Sequence, residues 1–170
     1  MHRSTILNYK EATRLINLCE FAANQEFKLL YRASQNGFAA ADFHKRCDGI
    51  KNTLIIIKSN NGYIFGGYTS AAWSSNNRFV KDTDSFIFSL LNSEKSPFKA
   101  KCSNSEYAVC GSPFYGPMFG KTDLRISSLS NKNNNSISYF GRVFTNDLSK
   151  NILAGGFNFQ TKEIEVYEIN

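Results

Sequence analysis

Proline and histidine are scarce in this sequence, and no long apolar run occurs. There are three prolines and two histidines in 170 residues. A Ser-His-Asp arrangement would have to use His44, because His2 sits in the terminal residues, and no G-x-S-x-G elbow is present, which argues against a serine hydrolase. No stretch approaches the ~20 apolar residues of a membrane span, and the first twenty residues lack the apolar segment of a secretory signal. The chain is therefore expected to be soluble and cytoplasmic, with no membrane insertion. The four cysteines, Cys19, Cys47, Cys102 and Cys110, form no C-x-x-C pair and are expected as free thiols. Cys102 and Cys110, eight residues apart, fit neither a zinc knuckle nor a zinc ribbon, so no metal is expected. Gly66-Gly67 leads to no helix and no Lys-Ser/Thr follows, so a phosphate-cradling loop is missing and no cofactor is expected. Asn134-Asn135-Ser136 has the form of a glycosylation sequon but, without a secretory route, carries no weight.

Aromatic and apolar residues are plentiful: 42% of the chain is apolar and 14% aromatic, which supports a packed core and favours strands. The length suits one domain over residues 1–170. A net charge of +6 is spread along the chain, densest at Lys45-Arg46 and at Lys99 and Lys101, and reads as a mildly basic solvated surface. Aromatics such as Tyr31, Tyr63, Tyr139 and Phe140 lie in strand-like stretches, where core packing is the simpler account, so no nucleic-acid partner is expected.

Residues 60–73 organise the chain. Thr53 to Lys58 is a β-branched run ended by Asn61-Gly62, the dipeptide best suited to a tight hairpin, and a second strand follows. Gly66 and Gly67 inside that strand mark a bulge or close backbone approach, and Trp73 plugs the layered core beside them. Asn8 and Glu11 form a capping box for an amphipathic helix over residues 9–22, within a helical lead spanning residues 1–24. A strand is predicted over 28–33 and a second helix over 39–47, stopped by Asp48-Gly49. Residues 85–91 alternate as a strand with one strongly apolar face, and short strands are predicted over 98–101 and 107–110. Residues 111–120, with two of the three prolines, are expected as an irregular loop. After a strand through Leu124 and Ile126, residues 127–138 read as a flexible Asn-rich loop. A last hairpin, with strands over 152–159 and 162–169 and a turn near Gln160-Thr161, closes the chain. The fold class is thus mainly β with α, an antiparallel β-sandwich of about eight to ten strands flanked by two helices.

Several stretches, in order, resemble the TLDc domain of the oxidation resistance proteins. They are Ser4-Thr5-Ile6-Leu7, residues 27–34 with Gly37-Phe38, Phe43-His44-Lys45-Arg46-Cys47-Asp48, residues 53–58, and Phe65-Gly66-Gly67-Tyr68-Thr69 with Trp73. Further on come Ser85 to Leu90, Gly116-Pro117-Met118-Phe119-Gly120 with Asp123 to Ile126, and Gly155-Gly156 through Phe159 before Glu163 to Tyr167. The resemblance covers nearly the whole chain. It implies a helix-flanked β-sandwich, a role in protection against oxidative stress, and binding to the vacuolar-type proton ATPase that alters its assembly; it brings no accepted catalytic set. Recruitment from the cytoplasm to a vacuolar or endolysosomal membrane surface follows from that partner.

Two functions from different classes remain. As a binding module, most simply a monomer, the chain would present Phe114, Tyr115, Met118 and Phe119 from an exposed loop to a protein such as a V-type ATPase subunit. Glu163 and Glu165, on one side of an alternating strand, are read first as solvent-facing edge charges, second as a grip on a basic partner and third as a pair for acid–base work. The alternative is a thiol-based peroxide-consuming or redox-sensing protein using Cys47, near Lys45, Arg46 and His44. No second cysteine is spaced to resolve an oxidised Cys47, which favours the binding module.

Overall fold

The computed structural model of the chain describes residues 4–145 and 147–170; His2 lies outside them. Among the described residues the order is α1 (Tyr9–Cys19), β1 (Phe27–Arg32), α2 (Ala33–Asn36), α3 (Ala40–Cys47), β2 (Thr53–Ser59), β3 (Ile64–Thr69), β4 (Phe79–Val80) and β5 (Phe86–Leu91). Then follow β6 (Phe98–Lys101), β7 (Val109–Cys110), β8 (Tyr115–Phe119), β9 (Leu124–Ser127), β10 (Ser136–Ile137), β11 (Asn158–Phe159) and β12 (Thr161–Ile169). Two six-stranded antiparallel sheets result, ordered β1-β12-β2-β3-β5-β6 and β11-β10-β9-β8-β7-β4. This is the expected sandwich with helices, with twelve strands instead of eight to ten and a third, one-turn helix, α2.

Three layers explain the burial. Along β2, Ile55 and Ile57 face the second sheet and join Phe65, Ile87, Val166, Phe119 and Ile126 in the inner core. Leu54 and Ile56, on the alternate face, pack under Leu15 and Cys19 of α1 with Phe88 and Tyr167. The first sheet is thus apolar on both faces, so β5 shows a continuous buried run where alternation had predicted one apolar face. At roughly 2 kcal/mol for a fully buried aliphatic side chain, each of these residues weighs heavily against a net stability of about 5–15 kcal/mol.

The helix ends obey local rules. Glu11 N–H donates to Asn8 Oδ1 at 3.0 Å and Asn8 N–H to Glu11 Oε2 at 2.8 Å, the predicted capping box. Glu20 at φ 62° stops α1 before residue 22. Aromatic contacts then run through the inner core. Phe43 of α3 meets Tyr31 edge-on at 6.0 Å and Trp73 at 5.3 Å, and Trp73 meets Phe119 at 5.6 Å. Trp73 Nε1 donates to Thr53 Oγ1 at 2.8 Å, satisfying the one polar atom of a nearly sealed side chain. Asp82 holds the segment leading to Trp73: it accepts from Thr69 Oγ1 at 2.6 Å, Ser70 Oγ at 2.7 Å and Ser70 N–H at 2.8 Å.

The glycine pair in β3 is there for space. A Cβ on Gly66 would lie 1.9 Å from the Ile55 carbonyl oxygen, and one on Gly67 would lie 2.8 Å from the Phe119 ring. Gly120, at φ +64°, needs the left-handed conformation, and Gly155 lies against the Tyr63 ring. Gly116 and Gly156 would meet only ordinary contacts at 3.5 Å.

Several expectations are corrected. Residues 115–119 are strand β8 and not loop; Pro117, the loop signal, sits where the β8–β9 register is irregular between Tyr115 and Met118, so its missing N–H leaves the ladder intact. Tyr107 ends a 3-10 turn and lies outside β7. The predicted closing hairpin is absent: β11 pairs with β10 in the second sheet, whereas β12 lies between β1 and β2 in the first. Residues 127–138 contain the end of β9 and all of β10, with Ser130, Ser136 and Ser138 fully buried and Asn133 Oδ1 accepting from Ser127 Oγ.

Two outcomes are expected from this packing. Gly66→Ala should lower the urea unfolding midpoint by an amount equivalent to about 3 kcal/mol with an unchanged slope, since backbone must move to admit the methyl. Burial raises the Asp82 pKa, but the hydrogen bonds from Thr69 and Ser70 and the backbone N–H of Asp84 outweigh it and hold the carboxyl below its ordinary value. A folded pKa below the unfolded one contributes stability that is present at neutral pH and lost as pH falls through the folded value. Asp82→Asn should therefore show a smaller fall in Tm between about pH 6 and about pH 3 than the parent chain.

Candidate functional site

The turn from β7 to β8 is short and built from Gly111, Ser112, Pro113 and Phe114. Ser112 C=O accepts from Tyr115 N–H at 3.3 Å, closing it. His44, the last-turn histidine of α3, reaches across: its Nε2 lies 2.8 Å from Ser112 O and 2.9 Å from Tyr115 O, so this nitrogen carries the hydrogen. Nδ1 lies 2.7 Å from Asp48 Oδ1, and Asp48 Oδ2 accepts from Ser75 Oγ at 2.6 Å. His44 is buried and both ring nitrogens are engaged in holding the turn to α3.

The clamp positions Phe114 outward. Phe114 is 72% exposed, second among the described large apolar residues only to Tyr9 at 84%. Tyr115, half-buried, lies beneath the Arg125 guanidinium at 4.4 Å. Met118 and Phe119, expected in the same exposed loop, are instead buried, because β8 turns its far end into the core where Phe119 packs on Trp73 and Phe144. Two exposed aromatics absent from the sequence reading lie at the β4–β7 edge of the second sheet: Phe79 and Tyr107 meet edge-on at 5.2 Å, with Lys121 Nζ 4.2 Å over the Tyr107 ring. Their signal in the sequence is weak, since a two-residue strand and a single turn give no period to read.

Glu163 and Glu165 are not edge charges. β12 is a central strand, and both residues point to the α1 side, where they are buried. Glu165 is fully sealed and saturated: Arg32 pairs with it at 2.9 Å, Ser4 Oγ donates at 2.6 Å, Thr5 N–H at 2.8 Å and Tyr167 OH at 2.9 Å. Glu163 accepts from Ser34 N–H at 3.0 Å. These two carboxylates tie the N-terminal strap and β1–α2 to the sheet and offer nothing to a partner surface. Among the described residues no group of three or more His, Cys, Asp or Glu is arranged to hold a metal, and no helix is long and apolar enough to cross a membrane.

Compared with known families, the sequence matches the TLDc domain over residues 1–170. A curated relative, the MTOR-associated protein MEAK7 of Danio rerio, is 28% identical over 65 residues, which is 38% of this chain and 14% of that protein. The match thus spans a small part of the relative's own length.

The thiols separate by environment. Cys47, the redox candidate, is fully buried in the inner core, and burial pushes its pKa up to about 12; Asp48 adds to the rise and Arg46 opposes it. Cys19, the last residue of α1, is likewise pushed up to about 12 by burial against the first sheet. A thiol of that kind is thiolate in roughly one part in ten thousand at pH 8, the reverse of a peroxide-reactive cysteine. Cys102 is the only one of the four that is not buried. Iodoacetamide at about pH 8 should therefore modify Cys102 first, leaving Cys47 and Cys19 unlabelled until the chain unfolds, as read by peptide mass spectrometry.

Proposed function

The chain belongs to the TLDc domain family, and from that premise we propose that it is a non-catalytic protein-binding module that docks through Phe114. The observation that carries this reading is an aromatic side chain 72% exposed on a turn that α3 clamps through His44. Exposing a phenyl ring to water costs free energy, and holding it in one place lowers the entropy lost when a partner covers it. Tyr115 under Arg125 extends the patch with the residue types enriched at interface cores. Engagement of both His44 nitrogens and burial of Cys47 support a role without turnover.

The partner we propose is a subunit of the vacuolar-type proton ATPase, met at the cytoplasmic face of a vacuolar or endolysosomal membrane, with protection against oxidative stress as the cellular outcome. The resemblance to the oxidation resistance proteins supports it, as does a net charge of +6 suited to an acidic partner surface. The Danio rerio relative, named as an MTOR-associated protein, supports protein partners in general.

Phe114→Ala should reduce capture of the purified catalytic sector of the ATPase by roughly tenfold or more, the loss of one buried aromatic anchor. Its Tm should stay within about a degree of the parent, since the side chain is exposed. Equal capture by the parent and Phe114→Ala chains would exclude the face, and no capture by the parent chain would exclude this partner.

A further inference from the structure

A groove of about 920 Å³ lies far along the chain from Phe114, between α1 and the edge of the first sheet. Leu7, Ala12 and Ile16 form one wall, and Phe27 and Leu29 of β1 the other. β1 ends the sheet order, so one side of it carries no neighbouring strand.

The register shows which backbone groups face that open side. Ile169 N–H donates to Asn52 O at 2.8 Å, toward β2, so at the Phe27–Ile169 pair the hydrogen-bonding groups of both residues point away from each other. Asn170 N–H, one residue on, donates back to Glu26 O at 3.2 Å, confirming the alternation. Leu29, opposite Tyr167, has the same orientation as Phe27. Beyond the bulge, the outward N–H of Arg32 is taken by Asn36 Oδ1 at 2.9 Å, which caps that end of the edge. The outward N–H and C=O of Phe27 and Leu29 meet no partner among the described residues.

We infer that the β1 edge is a strand-docking site, where an extended segment of a protein partner pairs with Phe27 and Leu29 and turns alternate apolar side chains into the groove beneath α1. Alternating free donors and acceptors are complementary to an extended backbone and to no compact ligand. The side chains of Phe27 and Leu29 face the α1 side with Leu7 and Ile16, so an added strand places every second residue against the same apolar wall. Each copy of this chain carries +6, which opposes a second copy and favours a segment that is apolar at alternate positions with acidic flanks; at the edge itself Lys28 is paired with Glu168 at 3.0 Å and Glu26 lines the groove, so the net charge of the chain sets this preference.

The test is an NMR titration of the ¹⁵N-labelled chain with a capped peptide of about eight residues that alternates Val and Thr between Glu ends. The amides of Phe27, Leu29 and Ile16 should shift, with a Kd below about 1 mM. Peptides N-methylated at alternate amides should divide: the set facing β1 loses binding by roughly tenfold or more, and the set facing away keeps it. Phe114→Ala should bind the peptide unchanged, which separates this site from the ATPase-docking face. Shifts confined to other residues, equal binding by both N-methylated sets, no binding at about 1 mM, or a sedimenting dimer that protects the Phe27 and Leu29 amides would each overturn the proposal.

Discussion

Burial of the first sheet on both faces is the constraint on which the rest depends. Once α1 covers one face and the second sheet the other, every side chain of β2 from Thr53 to Ile57 must be removed from water. Polar residues on those strands are then tolerated only with partners, since an unpaired buried charge costs several kcal/mol. Glu165 meets this condition by gathering Arg32, Ser4, Thr5 and Tyr167 around one carboxylate. That single cluster joins the strap before α1, the end of β1 and the centre of β12, three segments widely separated in sequence.

The same constraint decides where binding surfaces can arise. Strand interiors are saturated, so availability falls to turns and edges. A buried imidazole spans two carbonyl oxygens of the β7–β8 turn and ties its backbone to α3, and the turn presents Phe114 outward. The edge of β1 is held for another reason: one side is paired in the β12 ladder, while on the other the outward donors and acceptors of Phe27 and Leu29 meet no partner among the described residues. The two surfaces differ in chemistry, one led by a side chain and one by backbone.

Close approach is the cost of such compactness. Gly66 lies where the neighbouring strand's carbonyl occupies the place of a side chain, and Gly67 where the Phe119 ring crosses from the second sheet. The Gly67 contact brings the second sheet in beside Trp73, which with Phe43 completes the inner core, while the Gly66 contact lets β3 lie close to β2 under Phe88. An aromatic-rich composition and a paired glycine are therefore two aspects of one packing solution.

Much of this was legible in the sequence because it rests on local rules. The Asn8–Glu11 capping box, the Asn61-Gly62 hairpin, the helix ending at Cys47 and the glycine pair beside Trp73 each express a short-range preference that the fold had no reason to override. What tertiary structure alone decided concerns placement. Glu163 and Glu165 alternate in sequence like edge charges, yet pairing on both sides put them at the centre; Pro117 signals a loop, yet an irregular register admitted it to a strand. Of the four loop residues expected to face a partner, Phe114 remained outside while Met118 and Phe119 were turned inward. Sequence specifies which residues are able to sit in a strand and how they alternate, but which neighbour lies beside that strand, and so which side meets water, is set by contacts between segments far apart in the chain.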